Sequence, residues 1–280
     1  MKIGSHVSIR NGYEGAAITA NKLGAKAFQF FPKNPRSLGV KAYDERDAEA
    51  CRSFCRQKGI SSIAHTPYTV NLCAEDPDLF EVTISSVQND LQIAEACGAM
   101  GVVVHFGHYK GSDILEGYKR MITMINRILT GWQGQARLLV ENNAGQGNRM
   151  GTTLEELTQV RLLVEEPEKV GFCLDTCHAF ASGMWKGNDW GEVAERMREL
   201  DFFASLCAVH LNDSLYPTGS FRDRHANIGH GEIGDAAFAA FLRTPELHDL
   251  PLVLETPKQG EDSHREEIKH VQALIDQWQG

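Results

Sequence analysis

The chain has 280 residues, 42% of them apolar and 23% charged, the balance of an ordinary globular protein. That excludes a largely disordered chain, a collagen-like repeat and a coiled coil, and no apolar run approaches the ~20 residues a membrane helix needs. The formal net charge of −9 speaks against a general nucleic-acid binder with a basic face and leaves room for bound metal cations.

Met1-Lys2-Ile3-Gly4-Ser5-His6 turns polar too early for a signal peptide, so a cytoplasmic protein is expected. Short β-rich runs then alternate with longer amphipathic stretches. Strands are predicted at Lys2–Val7, Ala27–Phe31, Ser61–His65, Gly101–His105, Arg137–Asn142, Val170–Thr176, Leu206–Leu211 and Leu252–Thr256. Several are continuous and apolar, as parallel strands covered on both faces should be. Between them, Thr153-x-x-Glu156 and Ser263-x-x-Glu266 have the form of capping boxes. Asp44, Asp189 and Asp235 stand where N-caps are expected, and Gly24, Gly59 and Gly98 where helices should stop. Eight strand–helix units with no Pro- or Ser-rich linker predict an α/β fold, a (β/α)8 TIM barrel forming one domain over 1–280. The competing doubly wound sheet needs a Gly-rich phosphate loop after its first strand. Gly12-Tyr13-Glu14-Gly15 is too sparse to supply one.

The seven cysteines, Cys51, Cys55, Cys73, Cys97, Cys173, Cys177 and Cys207, are odd in number and scattered, which predicts reduced thiols. Neither Cys51/Cys55 nor Cys173/Cys177 has the spacing of a zinc knuckle, and both pairs read as packing residues.

The strand ends carry the chemistry. Successive predicted strands close on His65, His105, Glu141, Asp175, His210 and Glu255, and in a barrel these ends converge on the C-terminal mouth. Any one of them alone reads as a satisfied polar strand terminus. Together, six such groups would repel or require costly desolvation without a cation. The mixture of imidazole and carboxylate suits zinc or manganese. His178 follows Asp175 by three residues, and Asp223 and His225 lie beyond the seventh strand. That makes nine donors, more than one four-coordinate ion uses and enough for three ions if Glu141 bridges two. Multi-metal sites serve phosphate-ester hydrolysis. His248, His264 and His270 are expected on solvated helices. His108 and His230 are expected in mouth loops without a metal role, and His6 either supports a ligand, touches substrate or packs.

The chain resembles the endonuclease IV family of zinc-dependent apurinic/apyrimidinic endonucleases over nearly its whole length. The resemblance is carried by Gly4-Ser5-His6-Val7-Ser8, Phe31-Pro32-Lys33-Asn34-Pro35-Arg36, His65-Thr66-Pro67-Tyr68-Thr69-Val70-Asn71-Leu72 and Glu141-Asn142-Asn143-Ala144-Gly145-Gln146-Gly147. It continues through Asp175-Thr176-Cys177-His178-Ala179-Phe180, His210-Leu211-Asn212-Asp213, Asp223-Arg224-His225 and Leu254-Glu255-Thr256. The resemblance implies three zinc ions, with manganese as an alternative at one or more sites. His65, His105 and Glu141 would hold the first; Glu141, Asp175, His210 and Glu255 the second; His178, Asp223 and His225 the third. It implies hydrolysis 5′ to an abasic deoxyribose in double-stranded DNA by water activated between the first two ions, leaving a 3′-hydroxyl and a 5′-deoxyribose phosphate. Trimming of blocked 3′ ends at the same site is implied too. Lys33, Arg36 and Tyr68 match segments that enter the minor groove in the family, Arg36 and Tyr68 as wedges. Arg224, with Arg10, Arg149 and Arg222, would complete a basic rim for phosphates despite the acidic total. The expected protein is a monomer with no membrane partner.

Two positions depart from the family pattern. Phe106-Gly107-His108 replaces Pro-Gly-Ser after the fourth strand, which is expected to reshape the mouth, and Thr69 stands where a bulky apolar residue often completes the wedge. Two rival readings share the fold. A one-metal sugar isomerase or epimerase would need only Glu141, Asp175, His210 and Glu255, and a zinc-loaded protein could mark abasic sites without cutting them.

Overall fold

The computed structural model describes residues 1–258, 260 and 263–276. Eight parallel strands close into a barrel in the order β1, β10, β7, β6, β5, β4, β3, β2. They are β1 (Lys2–His6), β2 (Ala27–Phe30), β3 (Ser61–His65), β4 (Gly101–His105), β5 (Arg137–Glu141), β6 (Val170–Asp175), β7 (Leu206–His210) and β10 (Pro251–Leu254). Around them run α1 (Gly12–Lys22), α2 (Glu45–Lys58), α3 (Pro77–Cys97), α4 (Ile114–Leu129), α5 (Leu154–Leu163), α6 (Thr176–Ser182), α7 (Trp190–Glu199), α8 (Gly234–Leu242) and α9 (Ser263–Asp276). The expected TIM barrel is thus the fold. Among the described residues no helix is long and apolar enough to cross a membrane.

The helix signals sort by whether a side chain reaches free backbone N–H groups. Asp44 accepts from Arg46 and Asp47, Thr153 and Glu156 complete a capping box, and Gly59 and Gly98 close their helices in the left-handed conformation. Gly24, one residue past the cap of α1, also has positive φ. Two expected caps fail. Asp189 precedes α7 but accepts instead from Lys186 N at 2.8 Å. Asp235 lies inside the first turn of α8 and pairs with His270 Nε2 at 2.8 Å. The Ser263 side chain, and with it the second capping box, lies outside the described residues.

A strand points alternate side chains to one face, and this sets what fills the barrel. Ala27, Ile63, Val103, Leu139, Cys173, Cys207, Ala208 and Val253 form an apolar cluster inside the strands, separate from the larger core between strands and helices. Gly4 completes this level because a Cβ there would lie 1.7 Å from the Ala27 carbonyl oxygen. Two residues further toward the C-terminal ends, the same inward direction carries Gln29, His65, His105, Glu141, Asp175, His210 and Glu255. Ser61–His65 and Gly101–His105 end as predicted, and the other six predicted strands run one or two residues long at this end. Thr176 already begins α6, and Glu255 leaves the ladder to donate its N–H to Asn212 Oδ1 at 2.9 Å.

One element is absent from the sequence expectation. Asp213–Ser214 (β8) and His225–Ala226 (β9) pair as a small antiparallel hairpin, with Ser214 opposite His225. Asp213 secures its base by accepting from the backbone N–H groups of Gly229, Gly231, Ile233 and Gly234.

Candidate metal centre

The nine predicted donors come together at the C-terminal mouth. Their side-chain atoms fall into three groups with no two atoms of a group more than 4.8 Å apart: His65, His105 and Glu141; Glu141, Asp175, His210 and Glu255; and His178, Asp223 and His225. Glu141 belongs to two of them. Its Oε2 lies 3.5 Å from both His65 Nε2 and His105 Nε2, and its Oε1 lies 2.8 Å from His210 Nδ1.

Several of these distances exceed a hydrogen bond. Zinc bonds of about 2.0–2.1 Å at a tetrahedral angle set neighbouring donor atoms about 3.3–3.4 Å apart. His178 Nε2 and His225 Nε2 each lie 3.3 Å from an oxygen of Asp223. Glu141 Oε2 and His225 Nε2 are buried with no hydrogen-bond partner, a costly state unless another atom satisfies them. The donor set, the spacing and the orphaned atoms all fit a cation.

The imidazoles are fixed from behind, as metal-binding histidines usually are. His65 Nδ1 donates to Thr66 O at 2.7 Å, and His178 Nδ1 to Asn142 O at 2.8 Å, leaving each Nε2 to face the carboxylates. His210 is turned the other way. Its Nε2 donates to Gln29 Oε1 at 2.7 Å, so Nδ1 faces the site. Asp175 divides its oxygens, Oδ1 capping α6 through His178 N and Oδ2 accepting from Asn212 Nδ2, both at 2.7 Å.

Burial disfavours charge throughout, and the balance differs by position. It pushes the His105 imidazole down to about 4. At Glu141 burial pushes the carboxyl up, but His210 and His105 outweigh it and hold the acid well below its ordinary range. Glu255 comes down to about 2 in the same way, with burial opposed chiefly by His210. Burial prevails at Asp175, whose pKa is raised. His225 rises to about 9, because the Asp223 carboxylate 3.3 Å away and the charge of Asp175 exceed the effect of burial.

Gln29, Asn142 and Asn212 escaped the sequence reading as functional residues. Gln29 joins three groups at once, with Nε2 at 2.6 Å from Glu255 Oε1 and 3.2 Å from His6 Nδ1 in addition to its bond to His210. The available signal was its place two residues after Ala27 in an otherwise apolar strand. His6 is therefore part of the support behind the donors.

Other expectations need correction. Lys33 does not face the mouth: its buried ammonium lies 3.0 Å from Asp90 Oδ1 and donates to Ser86 O. Phe106 lines the cleft beside the site but is only 1% exposed, packed against the Tyr118 ring, so of Phe106, Gly107 and His108 only His108 is exposed. His264, expected on a solvated helix, is 2% exposed and bonded to Ser5 Oγ and Thr256. All seven cysteines are free and buried. Cys177 Sγ lies near Asp175 and His225, but burial pushes its thiol up and it donates to Arg224 O at 3.6 Å.

Arg36, Arg224, Arg10, Arg149 and Arg222 are exposed. Tyr68 is 63% exposed with its ring set edge-on to Phe31 at 5.0 Å. Its backbone N–H donates to Pro35 O at 2.9 Å, tying the β3 loop to the β2 loop. A cleft of about 210 Å³ opens beside the site, lined by Tyr68, Asn71, His105, His108, Asn143, Gln146, His178 and Asp223 among others.

Comparison with known proteins agrees with the fold. The family described as xylose isomerase-like TIM barrel matches residues 18–274. Probable endonuclease 4 of Symbiobacterium thermophilum is 44% identical over 275 residues, 98% of this chain and 100% of that protein. The crystal structure of endonuclease IV from Thermus thermophilus superposes with a TM-score of 0.88 at 33% identity, covering 99% of this chain and 100% of that one. A D-tagatose 3-epimerase-like protein, at 17% identity and a TM-score of 0.72 over 100% of both chains, shares the fold alone. Identity of this extent, over the full length of both proteins and in the same barrel, establishes that the chain is an enzyme of the endonuclease IV family.

Proposed function

We propose that the chain is a DNA repair endonuclease that hydrolyses the phosphodiester bond 5′ to an abasic site in duplex DNA. The products would be a 3′-hydroxyl and a 5′-deoxyribose phosphate, and blocked 3′ ends would be trimmed at the same site. The observation that carries this reading is the division of Glu141, whose two oxygens face two separate groups of donors. A third group, His178, Asp223 and His225, lies beside them.

In this reading His65, His105 and Glu141 hold one cation. Glu141, Asp175, His210 and Glu255 hold a second, and His178, Asp223 and His225 a third. Zinc suits the donors, with manganese as an alternative. When bound, such cations lower the pKa of water and stabilise charge on the oxygens of an in-line displacement. The chain contributes the positioning. Gln29, Thr66 and Asn142 fix which imidazole nitrogen faces inward, and Asn212 holds Asp175 and Glu255 together through bonds of 2.7 and 3.3 Å. Arg36 and Tyr68 would enter the minor groove at the lesion and Arg224 would hold a phosphate. A flipped abasic nucleotide is the cheapest to unstack because its base is already missing. The enzyme would work as a monomer of one barrel domain over 1–280, and seven free thiols accord with a reducing compartment, the cytoplasm.

A one-metal isomerase would leave His65, His105, His178, Asp223 and His225 without a task, and their clustering supports the hydrolase instead. The complete donor set likewise supports cutting over silent lesion binding. The test is end-labelled duplex DNA with one abasic site, incubated with zinc-loaded protein, with Glu141→Gln alongside to exclude a contaminating nuclease. Cleavage 5′ to the lesion with a 3′-hydroxyl is expected from the wild type only. Intact DNA would overturn the proposal.

A further inference from the structure

Among the nine donors Asp223 is placed least directly by the barrel. It lies in the loop between β8 and β9, and its side chain is 43% exposed. Strand register therefore does not set its distance from His178 and His225, and the loop must. Two residues earlier stands Phe221 with φ 56°, in the left-handed region that a bulky side chain seldom occupies. Such a conformation persists where the surroundings over-determine it.

The surroundings here come from the loop after β5 and from α6. The Arg149 guanidinium lies over the Phe221 ring, 4.1 Å from its centroid. Gly145 faces the same ring, and a Cβ there would sit 2.6 Å from Phe221 Cδ1. The Phe221 N–H donates to Ala181 O of α6 at 2.9 Å, and the Asp223 N–H donates to Gln146 Oε1 at 3.1 Å. The ring is thus clasped by the loop after β5, its backbone is tied to the helix that bears His178, and the loop then brings Asp223 in. Asp223 ends with one oxygen 3.3 Å from His178 Nε2 and the other 3.3 Å from His225 Nε2.

We propose that Phe221 is a positioning residue whose ring, locked between Gly145 and Arg149, sets Asp223 at the reach of His178 and His225 and so completes the third cation group. This rests on the three-cation reading above. Catalysis needs nothing from Phe221 directly, since it acts through Asp223.

The test compares wild type, Phe221→Tyr, Phe221→Asn and Phe221→Gly, each loaded with zinc. Elemental analysis gives the ions per chain, and a chromophoric chelator in excess gives the rate at which each leaves. Tyr keeps the ring, whereas Asn and Gly tolerate the left-handed backbone and lack it. Wild type and Phe221→Tyr are expected to hold three ions with equal release. Phe221→Asn and Phe221→Gly should lose one ion about 10-fold faster, the scale on which outer supports act, with the other two unchanged. That fast phase should coincide with the one Asp223→Asn produces. A role in folding alone would speed all three releases together, which would overturn the inference. Three ions in every variant with unchanged release would overturn it while leaving the metal reading intact, and fewer than three in the wild type would remove both. If the ring-less variants do not fold, Arg149→Met keeps the backbone and the ring and carries the same test, with roughly 3-fold faster loss of the same ion expected for a weakened support and no change counting against it.

Discussion

Inside the barrel, two layers of side chains lie two residues apart on the same strands and behave in opposite ways. The lower layer is built from residues such as Ile63, Val103, Leu139 and Val253. There the strand geometry yields ordinary core, where full burial of a Val or Leu side chain stabilises by about 1.5–3 kcal/mol. The upper layer takes His65, His105, Glu141 and Glu255 at the next inward positions, and the same enclosure now disfavours every charge. The apolar layer fixes the register, and the polar layer inherits its precision while drawing its stability from hydrogen bonds and cations. One layer should therefore be sensitive to metal and the other indifferent to it.

The sharpest break is Glu141→Gln, which keeps the shape and removes the charge shared by two donor groups. Strand cleavage should fall by roughly 10³-fold, the scale of losing a transition-state charge stabiliser, with metal content reduced and circular dichroism unchanged. Normal turnover at full metal content would end the bridging role. Metal removal comes next. With free zinc 1,000-fold above its dissociation constant, the loaded protein gains about 4 kcal/mol, so exhaustive chelation should lower the melting temperature by on the order of 10 °C. An unchanged melting curve would mean that the upper layer is stable by itself.

Leu139→Ala addresses the lower layer directly. It should cost roughly 2–5 kcal/mol in loaded and metal-free protein alike and leave the ion count per chain unchanged. A smaller contrast lies in pH. In the metal-free protein His225 titrates near 9 against an ordinary 6.5, so the folded state keeps a proton that the unfolded state releases. That contribution is full below pH 6.5 and is lost as pH rises through 9. The melting temperature of metal-free protein should fall over this window, and that of loaded protein, where a cation takes the proton's place, should not. Parallel curves would contradict the assignment of His225 as a ligand.

The two layers were not equally legible in the sequence. His105 and Glu141 were easy to find because each closes an apolar run, and the period of two then places them on one inner face. Gln29 was hidden because a single amide inside a four-residue strand looks like tolerated polarity. The partners of Lys33 and His264 are remote: Asp90 sits on α3, and Ser5 is separated from His264 by 259 positions. No local pattern can distinguish such a buried basic residue from a solvated one. The hairpin carrying His225 has strands of two residues, too short for periodicity to register. Phe221 was invisible for a different reason, since left-handed backbone is expected of glycine, asparagine or aspartate and not of an aromatic residue.

The mildest prediction concerns the rim, where neither layer reaches. Lys33 and Arg36 are both basic and lie three residues apart, yet Lys33 is consumed by its buried pairing with Asp90. What that pairing leaves exposed is Arg36, on a loop further held by the Tyr68 N–H at Pro35 O. An anchored loop presenting an exposed guanidinium is suited to binding and does nothing for bond breaking. Arg36→Ala should therefore raise KM for abasic duplex about 10-fold, equivalent to about 1.4 kcal/mol, with kcat nearly unchanged. The slope of log affinity against log salt should become shallower by about one phosphate contact. A fall in kcat at constant KM would move Arg36 into the reaction itself. Unchanged values of both would mean that DNA does not approach over this loop, and the wedge would then have to be sought on the side of Arg224.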